Sequence, residues 1–218
     1  RNVARMALLL AGYPYTVGGE TVNHLCASGM AAAVNSFRAL QNGDGDVYVA
    51  AGMEHMTRGP WVISKVSKPF GRDAEMHDSS FGWRFINPKM EELYGTDGMG
   101  NTAENLAEMY GISREDQDAF AYWSQMKATA ARNSGRLAKE IAPVIIPQRK
   151  KDDIIFKDDE FIKPTTTPEI LAGLRPAFKR EGGTVTAGNS SGLNDGAGAL
   201  LMSNENGIKA YGLKPMAR

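Results

Sequence analysis

The chain has 218 residues, and its 25 Lys and Arg balance its 25 Asp and Glu. This balance leaves no broad positive field that would attract nucleic acid or an anionic membrane surface. A hydrophobic fraction of 42% and a charged fraction of 23% are ordinary for a soluble globular protein, and no apolar run is long enough to span a membrane. The single cysteine excludes an internal disulfide, which favours a reducing, cytoplasmic compartment. We therefore predict no nucleic-acid and no membrane partner.

The first residues predict a strand–helix–strand unit. Residues 2–11 already have the spacing of an amphipathic helix, and Arg1 is not an initiator Met, so we expect a piece of a longer polypeptide. Residues 19–25 and 46–51 are rich in β-forming side chains. The segment between them carries a stripe at helical spacing and ends at residues 42–45, the stripe being Met30, Val34, Phe37 and Gln41. This order predicts a βαβ unit with parallel strands and a right-handed crossover.

The middle of the chain predicts an irregular segment followed by a helix pair. Residues 52–100 show no clean period, which is typical of segments that cover a site. Thr102 precedes one helix over residues 103–110, and Ser113 is placed to cap a long helix that ends at residues 133–135. The long helix has an apolar stripe that we predict to be core, namely Phe120, Trp123, Met126 and Ala130.

The last third predicts a strand, a charged run and a loop. Residues 141–146 favour a strand interrupted by Pro143. The mixed charges of residues 149–163 favour a solvated surface or hairpin, the alternative being that one or two lysines face a nucleotide phosphate. Residues 182–198 are dense in Gly, Ser, Asn and Thr and predict a loop that leads into an apolar strand at residues 199–202.

Cys26 is the strongest candidate nucleophile. It lies where a β-rich run meets the start of the predicted helix. Unpaired N–H groups and the positive end of the helix dipole at such a position favour the thiolate, which is the reactive form of cysteine. Small neighbours at residues 27–29 allow a substrate to come close to the backbone. The alternative is a small buried hydrophobic residue, as most free cysteines are.

Two other patterns bear on possible binding or catalysis. Residues 188–198 read GNSSGLNDGAG, which fits neither a dinucleotide fingerprint nor a P-loop and remains either a ligand-binding loop or a plain one. The histidines are His24, His55 and His77, and none has a partner at metal-ligand spacing, so we predict no metal site. His24 and Cys26 share one face if their segment is extended, without forming a catalytic pair. A structural or incidental role is expected for all three histidines.

Taken together, these stretches resemble the thiolase family. Residues 2–7 and 22–30, the latter reading VNHLCASGM, are similar to the family's segment around its acyl-accepting cysteine. Residues 51–58 resemble the strand and turn that follow, and residues 183–197, GTVTAGNSSGLNDGA, are similar to a specific family motif. Residues 82–88 and 94–99 look most like the degradative branch that includes 3-oxoadipyl-CoA thiolases.

The resemblance implies an α/β fold, the thiolase-like layered αβαβα arrangement, here as an incomplete N-terminal half with an inserted loop domain. Residues 1–100 would form part of the half that carries the nucleophile. Residues 101–182 would be the loop domain that covers CoA, and residues 183–218 would return to the N-terminal half. The C-terminal half would be absent.

The resemblance also implies an activity: thiolytic cleavage of a 3-oxoacyl-CoA, or the reverse Claisen condensation, through an acyl-cysteine at Cys26. Coenzyme A would be a substrate, no cofactor would be needed, and the parent protein would be a homodimer or homotetramer. Acyl-CoA and CoA would be its small-molecule partners.

Binding residues follow from the same resemblance. Ser191 would meet the pantetheine arm, with Ala187 and Ser190 lining the groove. Phe178 matches an aromatic residue near the adenine, and Met99 matches an apolar wall of the tunnel. Lys163 stands where several members carry an arginine and keeps the charge without the planar surface. Gly98 stands where some acetoacetyl-CoA-specific members have a histidine, which leaves the acyl-chain preference open.

The chain departs from the family in extent. The family's Gly-His-Pro and Cys-Gly-Gly-type motifs, which supply the activating histidine and the second cysteine, do not occur in this sequence. We therefore expect this stretch alone to be inactive or nearly so. Two alternatives stay open, namely a catalytically dead CoA-binding or scaffold protein of the same fold and a carrier-protein-dependent 3-ketoacyl synthase.

Overall fold

A computed structural model describes residues 2–218, which fall into two compact units. The first unit comprises the described residues up to Gly59 together with Asn194–Arg218, and the second comprises Pro60–Leu193. The first unit contains α1 (Val3–Leu10), α2 (Ser28–Asn42), β1 (Val47–Glu54), β6 (Gly196–Ser203) and α7 (Glu205–Tyr211). The second contains β2 (Trp61–Ile63), β3 (Met76–Asp78), α3 (Pro88–Tyr94), α4 (Met99–Tyr110), α5 (Arg114–Asn133), a 3₁₀ turn (Leu137–Lys139), β4 (Val144–Ile146), β5 (Ile154–Phe156) and α6 (Pro168–Ala172).

The first unit is built on a two-stranded antiparallel sheet. β1 and β6 pair over their whole length, from Val47↔Ser203 to Glu54↔Gly196. Helix α2 packs on β1, and Ala50 of the strand is buried at 5% exposure. A Cβ built on Gly52 would lie 3.6 Å from the Gly29 Cα, so the start of the helix and the end of the strand approach closely. Helix and strand therefore run in opposite directions.

The predicted parallel βαβ unit is wrong. Residues 19–25 form no strand, and β1 takes β6, not residues 19–25, as its described partner. The β-branched Thr21 and Val22 favour an extended backbone, but a strand also needs a neighbour that supplies the ladder hydrogen bonds. That neighbour is set by distant sequence, so the local pattern could not identify it.

The predicted end of α2 and the predicted cap and end of α5 are confirmed. Asn2 caps α1 by accepting a hydrogen bond from the Arg5 N–H, and α2 ends at Gly43 in the left-handed conformation (φ +78°). Ser113 caps α5 by accepting from the Asp116 N–H. Helix α4 is the exception, because it begins at Met99, four residues earlier than predicted. Caps use side chains within a few residues of the helix end, which is why the local sequence predicts them.

The second unit has a small core beneath the loop at residues 184–190. Its buried side chains come from α4, the segment between β5 and α6, α6 and that loop, and include Ala107, Ile162, Leu171, Val185 and Thr186. The strand predicted at residues 141–146 begins after Pro143 as β4, since proline lacks the N–H that a ladder uses. β4 pairs with β5, and residues 147–153 connect them. The charged run is thus an exposed hairpin and its flank, as predicted.

The apolar stripe of α5 is not core, contrary to our prediction. Phe120 is 66% exposed and Trp123 is 54% exposed, with Lys127 Nζ lying 3.4 Å from the centre of the Trp123 ring. The inward face of the helix instead carries polar side chains, among them Arg114 and Asp118. Periodicity finds an apolar face, but it does not show what covers that face.

All four residues of the α2 stripe are likewise exposed, and the buried residue of this helix is Ser36, which lies outside the stripe. Within residues 2–218 no helix is both long enough and apolar enough to cross a membrane. The predicted domain boundaries at residues 100 and 182 remain predictions. The compact units divide elsewhere, after Gly59 and after Leu193.

Candidate active site and coenzyme-binding residues

Cys26 lies in a tight turn directly before α2. Leu25 has a left-handed backbone (φ +53°), an uncommon conformation for a residue with a branched side chain. The turn is closed by hydrogen bonds from the Ala27 N–H to the His24 carbonyl at 3.1 Å and from the Leu25 N–H to Asn23 Oδ1 at 2.9 Å. A strained turn held by several bonds is typical of functional sites.

Ser28, the first residue of α2, fastens this turn from the helix side. Its hydroxyl donates to the Leu25 carbonyl at 2.6 Å and accepts from the His24 N–H at 2.9 Å. Cys26 itself is exposed, so the alternative of a buried small hydrophobic residue does not hold for the described chain. The expected extended segment from His24 to Cys26 is wrong, because the backbone turns at Leu25.

A second cluster lies at the end of β1, in the same unit. Asp195 Oδ1 accepts the Thr57 N–H at 3.0 Å, and Oδ2 accepts the Thr57 hydroxyl at 2.5 Å. His55 Nε2 lies 3.7 Å from Asp195 Oδ2. The Thr57 hydroxyl and then its N–H lower the pKa of the Asp195 carboxyl, and His55 acts in the same direction. We call these three residues the Asp195 clamp.

The second unit is organised around the buried carboxylate of Glu104, which is 5% exposed. It accepts hydrogen bonds from the Thr184 N–H (2.9 and 3.0 Å), the Thr184 hydroxyl (3.0 Å) and the Val185 N–H (2.8 Å). Burial raises the pKa of Glu104, but the bonds from Val185 and Thr184 outweigh it, with help from Lys179, and the pKa lies below its ordinary value. The carboxylate thus stays ionised and holds the start of the glycine-rich loop.

Asp118 holds the next part of the same loop. Its Oδ1 accepts from Asn189 Nδ2 at 2.9 Å, and its Oδ2 accepts from Arg114 Nε at 2.7 Å. Arg114 also donates to the carbonyls of Leu171 (2.6 Å) and Leu174 (3.0 Å). Asn189 Oδ1 in turn accepts from the N–H of Thr186, which is fully buried. Sequence reasoning missed Glu104, Arg114 and Asp118, because single polar residues in a helix carry no local signal.

Met99 and Phe178, predicted to meet the coenzyme, lie near one another. Met99 is the first residue of α4 and is exposed. The Phe178 ring lies against the backbone of Gly100, where an added Cβ would come within 2.3 Å of the ring. Only glycine at position 100 allows this packing, and the ring remains 42% exposed.

Lys163 and Gly192, the residue after Ser191, both lie near the Phe161 ring. Lys163 Nζ lies 5.8 Å from the centre of the Phe161 ring, and that ring covers Gly192, where an added Cβ would overlap it. The Lys163 backbone N–H donates to Gln125 Oε1 of α5 at 2.8 Å. Its Nζ donates to the Glu160 carbonyl at 3.0 Å. Ser191, the residue before Gly192, is exposed.

Ser190 and Ala187 lie within the loop that Glu104 and Asp118 hold. The Ser190 hydroxyl donates to the Thr186 carbonyl at 2.6 Å, so this hydroxyl supports the loop. Ala187 is exposed. Of the predicted site residues, Cys26 therefore belongs to the first unit, and the six predicted coenzyme contacts all belong to the second.

The remaining histidine, His77, lies in β3. Its Nε2 is 3.2 Å from Glu75 Oε2, and its ring meets Phe85 edge-on. Among residues 2–218, no group of three or more His, Cys, Asp or Glu side chains is placed to hold a metal ion.

Comparison with known proteins gives a consistent family. Residues 1–206 match the family model of the thiolase N-terminal domain. The 3-oxoadipyl-CoA/3-oxo-5,6-dehydrosuberyl-CoA thiolase of Escherichia coli is 50% identical over the whole chain, which covers 54% of that protein.

Two solved structures are also similar. The acetyl-CoA acetyltransferase of Bacillus anthracis matches with a TM-score of 0.83 and 40% identity, over 98% of this chain and 52% of that one. Human mitochondrial 3-ketoacyl-CoA thiolase matches with a TM-score of 0.84 and 34% identity, over 97% of this chain and 52% of that one. The chain thus spans about half the length of these relatives, and the predicted fold class is confirmed as that of the N-terminal half. The chain belongs to the thiolase family.

Proposed function

We propose that the protein to which this chain belongs cleaves 3-oxoacyl-CoA with CoA, giving acetyl-CoA and a shortened acyl-CoA. The single observation that carries the proposal is the exposed Cys26 in a strained, hydrogen-bonded turn before α2, in a chain of the thiolase family. The relatives whose names state a substrate include thiolases of 3-oxoadipyl-CoA, so this dicarboxylic acyl group is our first choice of substrate.

The reaction proceeds in two steps. The Cys26 thiolate attacks the 3-oxo carbon, the C2–C3 bond breaks, and acetyl-CoA leaves as an enolate that takes up one proton. The thiolate of free CoA then attacks the acyl–sulfur carbonyl and releases Cys26. The covalent intermediate divides one difficult C–C cleavage into two easier steps. The two steps together need no oxidant, reductant or cofactor, and coenzyme A is a substrate of the reaction.

The second unit is proposed to bind the coenzyme. Ser191, Ala187 and Ser190 would line the pantetheine groove on the loop that Glu104 and Asp118 hold. Met99 would form an apolar wall, with Phe178 and Lys163 toward the nucleotide. Rigid support of this loop favours binding because less freedom is lost when CoA is bound.

The chain alone is proposed to be inactive. Its sequence contains neither the Gly-His-Pro nor the Cys-Gly-Gly-type motif that would supply the activating base and the second acid. Removing one member of such a catalytic unit costs about 10³-fold or more in rate. We further propose a cytoplasmic homodimer or homotetramer for the whole protein.

The test uses the full-length protein with 3-oxoadipyl-CoA. With CoA withheld, mass spectrometry should find the peptide around Cys26 carrying the acyl group, and Cys26→Ala should lose both this adduct and thiolysis. The comparison variant is Ser28→Ala, which loosens the same turn but keeps the thiol, so it should form the adduct at Cys26 even if turnover is slower. A protein that binds CoA without forming the adduct would instead support the dead binding protein. Turnover of acyl-carrier-protein substrates alone would support the 3-ketoacyl synthase.

A further inference from the structure

The Asp195 clamp lies at the end of the sheet where the nucleophile is found. The ladder between β1 and β6 ends with Glu54↔Gly196. Beyond that pair, the two oxygen atoms of the Asp195 carboxylate take the place of backbone acceptors. One oxygen accepts the N–H of Thr57 and the other accepts its hydroxyl. The Asp195 clamp therefore extends the pairing of β1 and β6 by side-chain hydrogen bonds beyond the last backbone pair, and so it stabilises the ends of the two strands.

A direct structural path joins this end of the sheet to Cys26 within the first unit. Gly52 lies two residues before the end of β1, and its backbone approaches Gly29 of α2. Gly29 is the second residue of α2, and Cys26 lies in the turn just before that helix. A Cβ on Gly52 would make an ordinary van der Waals contact with the Gly29 Cα, and α2 packs along β1, so we expect a shift of the strand end to move the start of the helix.

We propose that Thr57 and Asp195 form a positioning pair that fixes the location of Cys26, with His55 as an outer charge partner. This inference rests on the proposed thiolysis. Neither residue reacts with the substrate. They hold the end of β1, and through Gly52 and Gly29 they hold the turn that presents the thiol.

A kinetic split distinguishes this role from a general loss of structure. The predicted coenzyme contacts all lie in the second unit, so a change confined to the end of β1 should act on chemistry and leave coenzyme binding unchanged. Misplacement of a reacting group lowers the rate of the bound complex steeply, and we expect about a tenfold loss.

The experiment measures thiolysis by the full-length protein with Thr57→Val, Thr57→Ser, Asp195→Ala and the Thr57→Val/Asp195→Ala double variant. Thr57→Val keeps the shape and the N–H but removes the hydroxyl, and it should lower kcat about tenfold with KM for CoA changed less than about twofold. Thr57→Ser should restore kcat. The double variant should be no slower than Asp195→Ala, because the two residues share one interaction.

The control is Thr16→Val, the same substitution on an exposed threonine of the same unit. An unchanged kcat in Thr57→Val, a rise in KM alone, or fully additive losses in the double variant would each overturn the proposal. If Asp195→Ala does not fold, the comparison of Val with Ser at position 57 decides alone.

A second measurement tests the positioning role of the Asp195 clamp independently of the proposed thiolysis. If the wild-type protein shows no thiolysis, the proposed function fails, and the rate of Cys26 alkylation by iodoacetamide then tests the clamp. Thr57→Val should change this rate severalfold, whereas Thr57→Ser and Thr16→Val should leave it at the wild-type value. Equal rates in all four proteins would refute the positioning role.

Discussion

Replacement of Glu104 by glutamine tests the central support of the glycine-rich loop. Glu104 is 5% exposed. Its carboxylate accepts hydrogen bonds from the N–H of Thr184, the N–H of Val185 and the Thr184 hydroxyl. Glutamine has the same size but only one acceptor oxygen. Its amide NH₂ would oppose one of these donors, which leaves a buried N–H without a partner.

The expected loss follows from the bonds that change. A hydrogen bond to a charged group contributes about 1.5–3 kcal/mol, and a neutral acceptor about half as much. Glu104→Gln loses one such bond and weakens another, while the neutral amide is easier to bury. We expect the free energy of unfolding of the second unit to fall by about 2–3 kcal/mol. At a denaturant slope of about 2 kcal/mol/M, the urea midpoint should fall by about 1–1.5 M.

Glu108 provides a matched control one turn further along α4. Its carboxylate pairs with Lys179 Nζ at 3.0 Å, but the Glu108 side chain is 74% exposed. An exposed pair contributes at most about 1 kcal/mol, so Glu108→Gln should shift the midpoint little. Tryptophan fluorescence is the measurement, because Trp61, Trp83 and Trp123 all belong to the second unit. Equal shifts for the two variants would refute the assigned role of Glu104.

Two further predictions concern stability at acidic pH and the replacement of large apolar side chains by alanine. Because the pKa of Glu104 lies below its ordinary value of about 4.3, its ionised form stabilises the fold above that pH, and this stabilisation is lost as the pH falls through the folded-state pKa. Urea midpoints of the second unit should therefore fall more steeply below about pH 4.3 in the wild type than in Glu104→Gln, and parallel curves would contradict this reasoning. Leu171→Ala should cost about 2–5 kcal/mol because Leu171 is 2% exposed, whereas Phe120→Ala should cost less than about 1 kcal/mol. Circular dichroism during urea unfolding measures the free energy of unfolding of both variants. A loss of stability in Phe120→Ala comparable to that in Leu171→Ala would show that the α5 stripe is part of the core after all.

Features set by neighbouring residues could be predicted from the sequence. The cap at Ser113, the end of α2 at Gly43 and the hairpin around the charged run depend on contacts within a few positions. Strand pairing and burial depend on what lies across the fold. For this reason residues 19–25 form no strand, and the aromatic side chains of α5 are exposed.

The candidate site divides in the same way. Cys26 has a local signal, since small residues and a helix start surround it in the sequence. Glu104 has none, because its partners Thr184 and Val185 lie 80 and 81 positions away. Asp195 and Thr57 are 138 positions apart, so no local pattern in the sequence places His55 beside this carboxylate.

Each of the two units contains a carboxylate–threonine pair, and we expect the two pairs to serve different purposes. In each, a carboxylate accepts both the N–H and the hydroxyl of a single distant threonine: Glu104 with Thr184, and Asp195 with Thr57. Glu104 is buried, so its bonds replace water completely and their loss leaves donors without partners. The Asp195 side chain is 42% exposed, so water can take over its bonds at little cost in free energy. Substitution at Glu104 should therefore lower stability most, whereas substitution at Asp195 should lower turnover in a protein that remains folded.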